Sequence, residues 1–244
     1  MFETMGAIDG KLMFADRHLA RLRQSCERLG WIIDLPDLAE IAATLLPRNS
    51  LATGRARLRL SVTAGSGLLN DLSAGRDRLI WLAAFPGSDP PASVTACLAP
   101  WPRNERSPLA GMKSASYAEN LFALDYARKN GFDEAIFLNT AGHLCESATA
   151  NLFLVRNGAL LTPALDSGCL PGIGRAVLSK LAAAHGVFLE EMPLTPTDLE
   201  NADEIFLTSA TRGPFPIVRL DARRLAIGPL TTRLRDLWNS QLLT

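Results

Sequence analysis

The sequence predicts a mixed α/β protein, α+β in character, built as two domains over residues 1–90 and 91–244. Two observations carry that expectation. Strand and helix signals alternate along the chain, the apolar period switching between two residues and three to four. The strongest breaker run, Pro86-Gly87-Ser88-Asp89-Pro90-Pro91, falls where one domain would cross into the next. With 244 residues, 48% of them hydrophobic, the chain can bury a substantial core.

The elements follow in order. Residues 7–14 read as a short hairpin, with Asp9-Gly10 supplying a turn at positive φ. Leu19, Leu22, Cys26 and Leu29 then recur at helical spacing, with Asp16 as the expected cap and Gly30 as the stop. Residues 38–46 read as a second helix. Across 55–64, Leu58, Leu60 and Val62 alternate with Arg57, Arg59 and Ser61, the pattern of a half-buried strand, and 79–85 is a more continuously apolar strand. Past the breaker run, a loop from Trp101 to Gly111 leads to Lys113. A helix over 117–130 ends at Asn130-Gly131. Strands are expected at 134–139, 143–146, 152–156 and 159–162, with Asn157-Gly158 turning between the last two. A helix over 172–185 stopped by Gly186, a strand at 204–208 and an amphipathic helix at 231–242 complete the chain.

Composition excludes several classes of function. The formal net charge is zero and the charges are dispersed, so neither a basic stripe for nucleic acid nor a polybasic run for anionic lipid is present. The apolar stretches are too short for a membrane span, and the N-terminal stretch lacks the apolar core of a signal peptide. Cys26, Cys97, Cys145 and Cys169 have no close spacing and read as thiols of a reducing compartment, which makes the cytoplasm the expected location. His18, His143 and His185 form no ligand pattern with them, so no metal site is expected.

Three features could carry chemistry. Lys113 lies among Met112, Ser114 and Ala115, neighbours that permit the burial a nucleophilic amine needs. Glu146 sits among small residues on a strand–turn–strand stretch. Leu170-Pro171-Gly172-Ile173-Gly174-Arg175 opens a helix, where the N–H groups of Ile173 and Gly174 could grip a phosphate. In that order they are the parts that pyridoxal phosphate requires: an amine for its aldehyde, a carboxylate for its ring nitrogen and a helix N-terminus for its phosphate. Arg21 could add a bidentate phosphate contact. Tyr117 could reach the cofactor's phenolate oxygen, and Thr208-Ser209-Ala210-Thr211 offers hydroxyls and amides at a pocket edge. Singly, each has a plainer reading. Lys113 and Arg21 would be surface cations, Glu146 a solvated acid, Tyr117 a packed aromatic and the glycines a simple connection. Cys145 reads as packing rather than as a nucleophile.

Taken together, Lys113 with Ser116-Tyr117, GFDEAIFLNTAGHLCESATANLF, GALLTP, GCLPGIGR and ADEIFLTSA resemble the class IV aminotransferase family, the fold-type IV pyridoxal-phosphate enzymes, from about Phe2 to Val218. The resemblance implies a smaller α/β N-terminal domain, a larger C-terminal domain with a barrel-like sheet, and a homodimer with pyridoxal 5'-phosphate between the domains. It implies that Lys113 is the Schiff-base lysine, Glu146 the partner of the pyridine nitrogen and Arg21 the phosphate arginine. Ile173 and Gly174 would form the amide cup, joined by Ser209 and Ala210. Leu170 would pack on the ring and Tyr117 stand near the phenolate oxygen. The segments FLNTAGHLCESATANLF, DSGCLPGIGR and FLTSATRGPFPI look most like the family's 4-amino-4-deoxychorismate lyases, which release pyruvate and 4-aminobenzoate for folate biosynthesis. Aminotransferases of D-amino or branched-chain amino acids usually carry threonine where this chain has Ala210. Ser116 stands where asparagine is common, and the family's first strand pair has no counterpart before Met1. A truncated or inactive relative is therefore the third reading.

Overall fold

The alternation between Arg57 and Val62 becomes the central strand of an antiparallel sheet. The computed structural model describes residues 1–35, 37–68, 70–71 and 77–242, and the chain divides into two units: Met1–Asp89 with Met112–Ala115, and Pro90–Gly111 with Ser116–Thr244. The first unit contains β1 (Phe2–Ile8), β2 (Lys11–Leu12), α1 (Ala15–Arg28), α2 (Leu38–Arg48), β3 (Arg55–Val62) and β4 (Ile80–Pro86), with sheet order β2-β1-β3-β4. Asp9 and Gly10, both at positive φ, make the β1–β2 turn as expected. Met5, Leu22, Cys26, Leu38, Leu60 and Met112 form one apolar cluster, and Ala7, Ala42, Leu46, Ala56 and Leu58 another.

One expectation fails here. Asp16 does not cap α1; Phe14 takes the cap position at φ 57° with no side-chain cap, and Asp16 lies in the first turn, where its charge faces the helix dipole. The apolar 79–85 stretch is a strand as expected, and among the described residues β4 pairs with β3 alone, an edge position that leaves Leu79, Trp81 and Phe85 substantially exposed.

The second unit begins with β5 (Val94–Leu98), α3 (Ala118–Lys129), β6 (Glu134–Leu138), β7 (Leu144–Ser147), β8 (Asn151–Arg156) and β9 (Ala159–Pro163). It continues through α4 (Ile173–Ala184), β10 (Leu189–Met192), α5 (Pro196–Glu200), β11 (Glu204–Ser209), β12 (Gly213–Leu220), β13 (Arg223–Arg224) and α6 (Pro229–Leu242). The path β8-β11-β12-β5-β6-β7 closes on itself where Glu146 pairs with Asn151, giving a barrel among the described residues. Alternate residues fill it: Ala96, Ile136, Leu144, Leu152, Leu154, Ile205, Leu207, Phe215 and Ile217 form one cluster. The opposite faces bury Phe137 and Cys145 against Ala123 and Ala127 of α3, and Phe153 and Phe206 against Leu178 of α4 and Leu234 of α6. β5, β10 and β12 lack a clear strand signature. Pro214 and Pro216 obscure β12, but its pairing with β5 begins only at Ile217, leaving an edge beside both prolines where a missing N–H breaks no ladder bond.

Candidate active site

The barrel-closing pair places a carboxylate where three donors converge. Glu146, 6% exposed, accepts from Arg103 Nη1 on Oε1 and from Asn151 Nδ2 and the Leu170 N–H on Oε2, each at 3.1 Å. Asn151 also donates to the Leu170 carbonyl at 2.9 Å, so one amide ties β8 to the turn that precedes α4. Arg103 is held in turn: its N–H donates to Leu138 O at 2.8 Å, and its guanidinium lies 4.4 Å from the centre of the Phe137 ring.

That turn is built for close approach. A Cβ on Gly172 would meet Asn151 Oδ1 at 1.8 Å, and one on Gly174 would meet the Ser209 carbonyl carbon at 2.6 Å and the Ala210 nitrogen at 3.0 Å. No side chain caps the N-terminus of α4. The first turn of α4 and the Ser209-Ala210 turn after β11 therefore lie against each other, with Ile173 and Gly174 buried and Ser209 and Ala210 half-buried. Arg212 secures the second turn, donating from Nε to Ser209 Oγ at 3.2 Å and from Nη2 to Thr149 Oγ1 at 2.7 Å, and pairing with buried Glu134.

Tyr117 donates its hydroxyl to the Ala148 carbonyl at 2.9 Å, beside Asn120, which donates to the same oxygen. Burial, and then the nearby Glu146 charge, push the Tyr117 phenol up to about 12, so it stays protonated. Burial likewise raises Cys169, to about 11, and Cys145 further still. Neither is a nucleophile at neutral pH, as expected for Cys145.

In the first unit, Lys113 and Arg21 gather around β1. Phe2 donates its N–H to Lys113 O at 3.0 Å, and Lys113 Nζ lies 4.6 Å from the centre of the Phe2 ring. The next residue, Glu3, is fully buried. It accepts from Arg21 Nε and Nη2 at 2.8 and 2.6 Å and from His18 Nδ1 at 2.7 Å. Burial works against the Glu3 charge, but Arg21 and His18 outweigh it and hold the carboxyl below its ordinary range. Burial holds His18 below its ordinary range too, with smaller contributions from Arg21 and Lys113. Arg21 is thus no solvated cation but an oriented, nine-tenths buried guanidinium.

Within the second unit the fold brings together Glu146, Tyr117, Leu170, Ile173, Gly174, Ser209 and Ala210; within the first, Lys113 and Arg21. Sequence reasoning passed over Glu3, Arg103, Asn151 and Arg212. The amphipathic register of α1 and the short 147–150 turn were available signals for Glu3's partner Arg21 and for Asn151. Arg103 and Arg212 sit in irregular segments with no periodicity to mark them.

The model of the amino-transferase class IV family matches residues 1–220. The chain belongs to that family. It is therefore an enzyme of that class, and its two-sheet architecture is that of the family's solved members. This class IV chain is 32% identical to a Methanocaldococcus jannaschii protein provisionally named a branched-chain-amino-acid aminotransferase, over 97% of this chain and 84% of the relative. Its fold is similar to that of a Legionella pneumophila protein provisionally named a 4-amino-4-deoxychorismate lyase, with a TM-score of 0.90 and 31% identity over 98% of this chain and 90% of that one. It is also similar to a Brucella abortus aminotransferase whose structure holds pyridoxal phosphate, with a TM-score of 0.86 and 28% identity over 100% of this chain and 89% of that one. Among the described residues, no helix is long and apolar enough to cross a membrane.

Proposed function

We propose that this class IV enzyme uses pyridoxal 5'-phosphate to cleave 4-amino-4-deoxychorismate into pyruvate and 4-aminobenzoate. The observation that carries the cofactor assignment is the contact of Gly174 with the Ser209-Ala210 peptide: two turns meet with no side chain between them, one of them an uncapped helix N-terminus. A phosphate dianion needs such N–H groups and such bareness. The buried, triply bonded Glu146 carboxylate suits a ring nitrogen that must stay protonated. The residues therefore fit the group.

When bound, the cofactor supplies the electron sink for a carbanion at the substrate's amine-bearing carbon. The chain supplies the rest. Lys113 would hold the cofactor's aldehyde carbon and, once released by the substrate amine, take the proton from the substrate's amine-bearing carbon. Glu146 would hold a proton on the ring nitrogen. Arg21, fixed by Glu3, would bind phosphate together with Ile173, Gly174, Ser209 and Ala210, while Leu170 packs on the ring. Tyr117 would stand near the phenolate oxygen. Loss of pyruvate leaves an aromatic ring, so the protein need chiefly orient the C–H bond and the leaving group.

Ala210 in place of the aminotransferases' threonine favours the lyase, as does the likeness to the Legionella protein. The Methanocaldococcus relative favours the second reading, transamination of branched-chain amino acids. An assay separates them. A lyase forms pyruvate and 4-aminobenzoate from aminodeoxychorismate with no added keto acid. Turnover only with an amino donor plus a keto acceptor contradicts that assignment.

A further inference from the structure

Arg103 is a guanidinium with a 15% exposed side chain, in the loop between β5 and α3 of the second unit. Its Nη1 pairs with Glu146 at 3.1 Å, and its Nε and Nη2 are buried without a hydrogen-bond partner among the described residues. Leaving two donors unsatisfied in a protein interior is costly. The compensation visible in the structure is the ion pair and the Phe137 ring beneath it.

We propose that Arg103 is a positioning residue that sets where a single proton resides: it keeps Glu146 anionic, so the proton shared with the cofactor's ring nitrogen stays on nitrogen. This inference rests on the pyridoxal-phosphate reading of the site. A carboxyl group bonded to a pyridine nitrogen has two arrangements, acid with neutral ring or carboxylate with pyridinium, and they differ only in the position of one proton. Arg103 contacts the carboxylate directly, whereas a ring nitrogen hydrogen-bonded to that carboxylate would lie further off. The guanidinium therefore stabilises the anion more than it opposes the pyridinium, and the balance moves toward charge separation. The Leu170 N–H and the Asn151 amide push the same way, because donors to a carboxylate favour its charged form. Around it the phenol of Tyr117 and the thiols of Cys145 and Cys169 are held protonated and so place no competing anion near the pair.

The test loads apoprotein with pyridoxal phosphate labelled with ¹⁵N in the ring and reads the nitrogen's chemical shift in wild type, Arg103→Gln and Arg103→Lys. Glutamine keeps an N–H donor and loses the charge; lysine keeps the charge. The wild-type shift is expected at the pyridinium value. Arg103→Gln moves it toward the neutral-pyridine value and slows exchange of the substrate's α-hydrogen by about tenfold, the equivalent of one pKa unit. Arg103→Lys stays near wild type. In a Glu146→Gln background, where there is no carboxylate to keep charged, adding Arg103→Gln changes nothing further. Cooperative melting of each apoprotein certifies that it is folded, and a Gln variant that fails this check is replaced by Arg103→Met, which also removes the charge beside Glu146 and is expected to move the shift the same way. A folded Arg103→Gln protein with the wild-type shift overturns the inference and leaves the cofactor reading intact. A wild-type protein that takes up no pyridoxal phosphate overturns both.

Discussion

Gly174 has no room for a methyl group. The atoms that one would strike are backbone atoms of Ser209 and Ala210, which cannot swing aside as a side chain would. Gly174→Ala is therefore expected to cost about 1–3 kcal/mol of stability, the usual range for overpacking. It should also weaken pyridoxal-phosphate uptake at least about tenfold, near 1.4 kcal/mol, read by titrating apoprotein with cofactor. Unchanged uptake in a folded Gly174→Ala protein would remove the turn from the proposed phosphate cradle. Single residues were legible in the sequence when local chemistry marked them. Gly172 and Gly174 stood before a clear helix, and Glu146 stood in a run of small residues. Arg103 was not legible, because its partner lies 43 residues away and only barrel closure brings the two together.

Among elements, β1 and α1 are joined by one buried carboxylate. Glu3 and His18 both titrate below their ordinary values of 4.5 and 6.5, so the unfolded chain binds more protons than the folded one through both groups. Their contribution is fully present above those ordinary values and is lost as pH falls through the folded ones. Melting temperature should accordingly decline as pH drops below about 6.5, and the decline between pH 6.5 and 5 should be shallower in His18→Gln. Identical slopes in the two proteins would show that His18 does not couple folding to protons. Glu3→Gln should destabilise by about 3–5 kcal/mol, because it leaves the buried Arg21 charge without its anion. Elements were legible where period and punctuation agreed, as in α1, α2, β3, α3 and α4. Asp16 misled because Phe14 adopts a left-handed backbone that sequence rules give to glycine or asparagine. β4 was legible as a strand from its apolar run, but composition reports hydrophobicity, not which strand ends at the edge of a sheet.

At the scale of the whole molecule, the resemblance anticipated a barrel that periodicity alone did not. β5, β10 and β12 are short, acidic or proline-bearing, and their strand character comes from neighbours supplied by distant parts of the chain. The first strand of the chain also begins earlier than its hairpin signal, at Phe2, because β3 offers it a full antiparallel partner. A homodimer belongs to the proposal, and sedimentation of the holoprotein should give twice the chain mass; a monomer fully active in the lyase assay would contradict it. The central claim is a covalent one at a single amine. Purified protein loaded with pyridoxal phosphate should be yellow, and after borohydride reduction and proteolysis mass spectrometry should find the pyridoxyl group on Lys113. A colourless protein, or a label confined to Lys11, Lys129 or Lys180, would contradict the account.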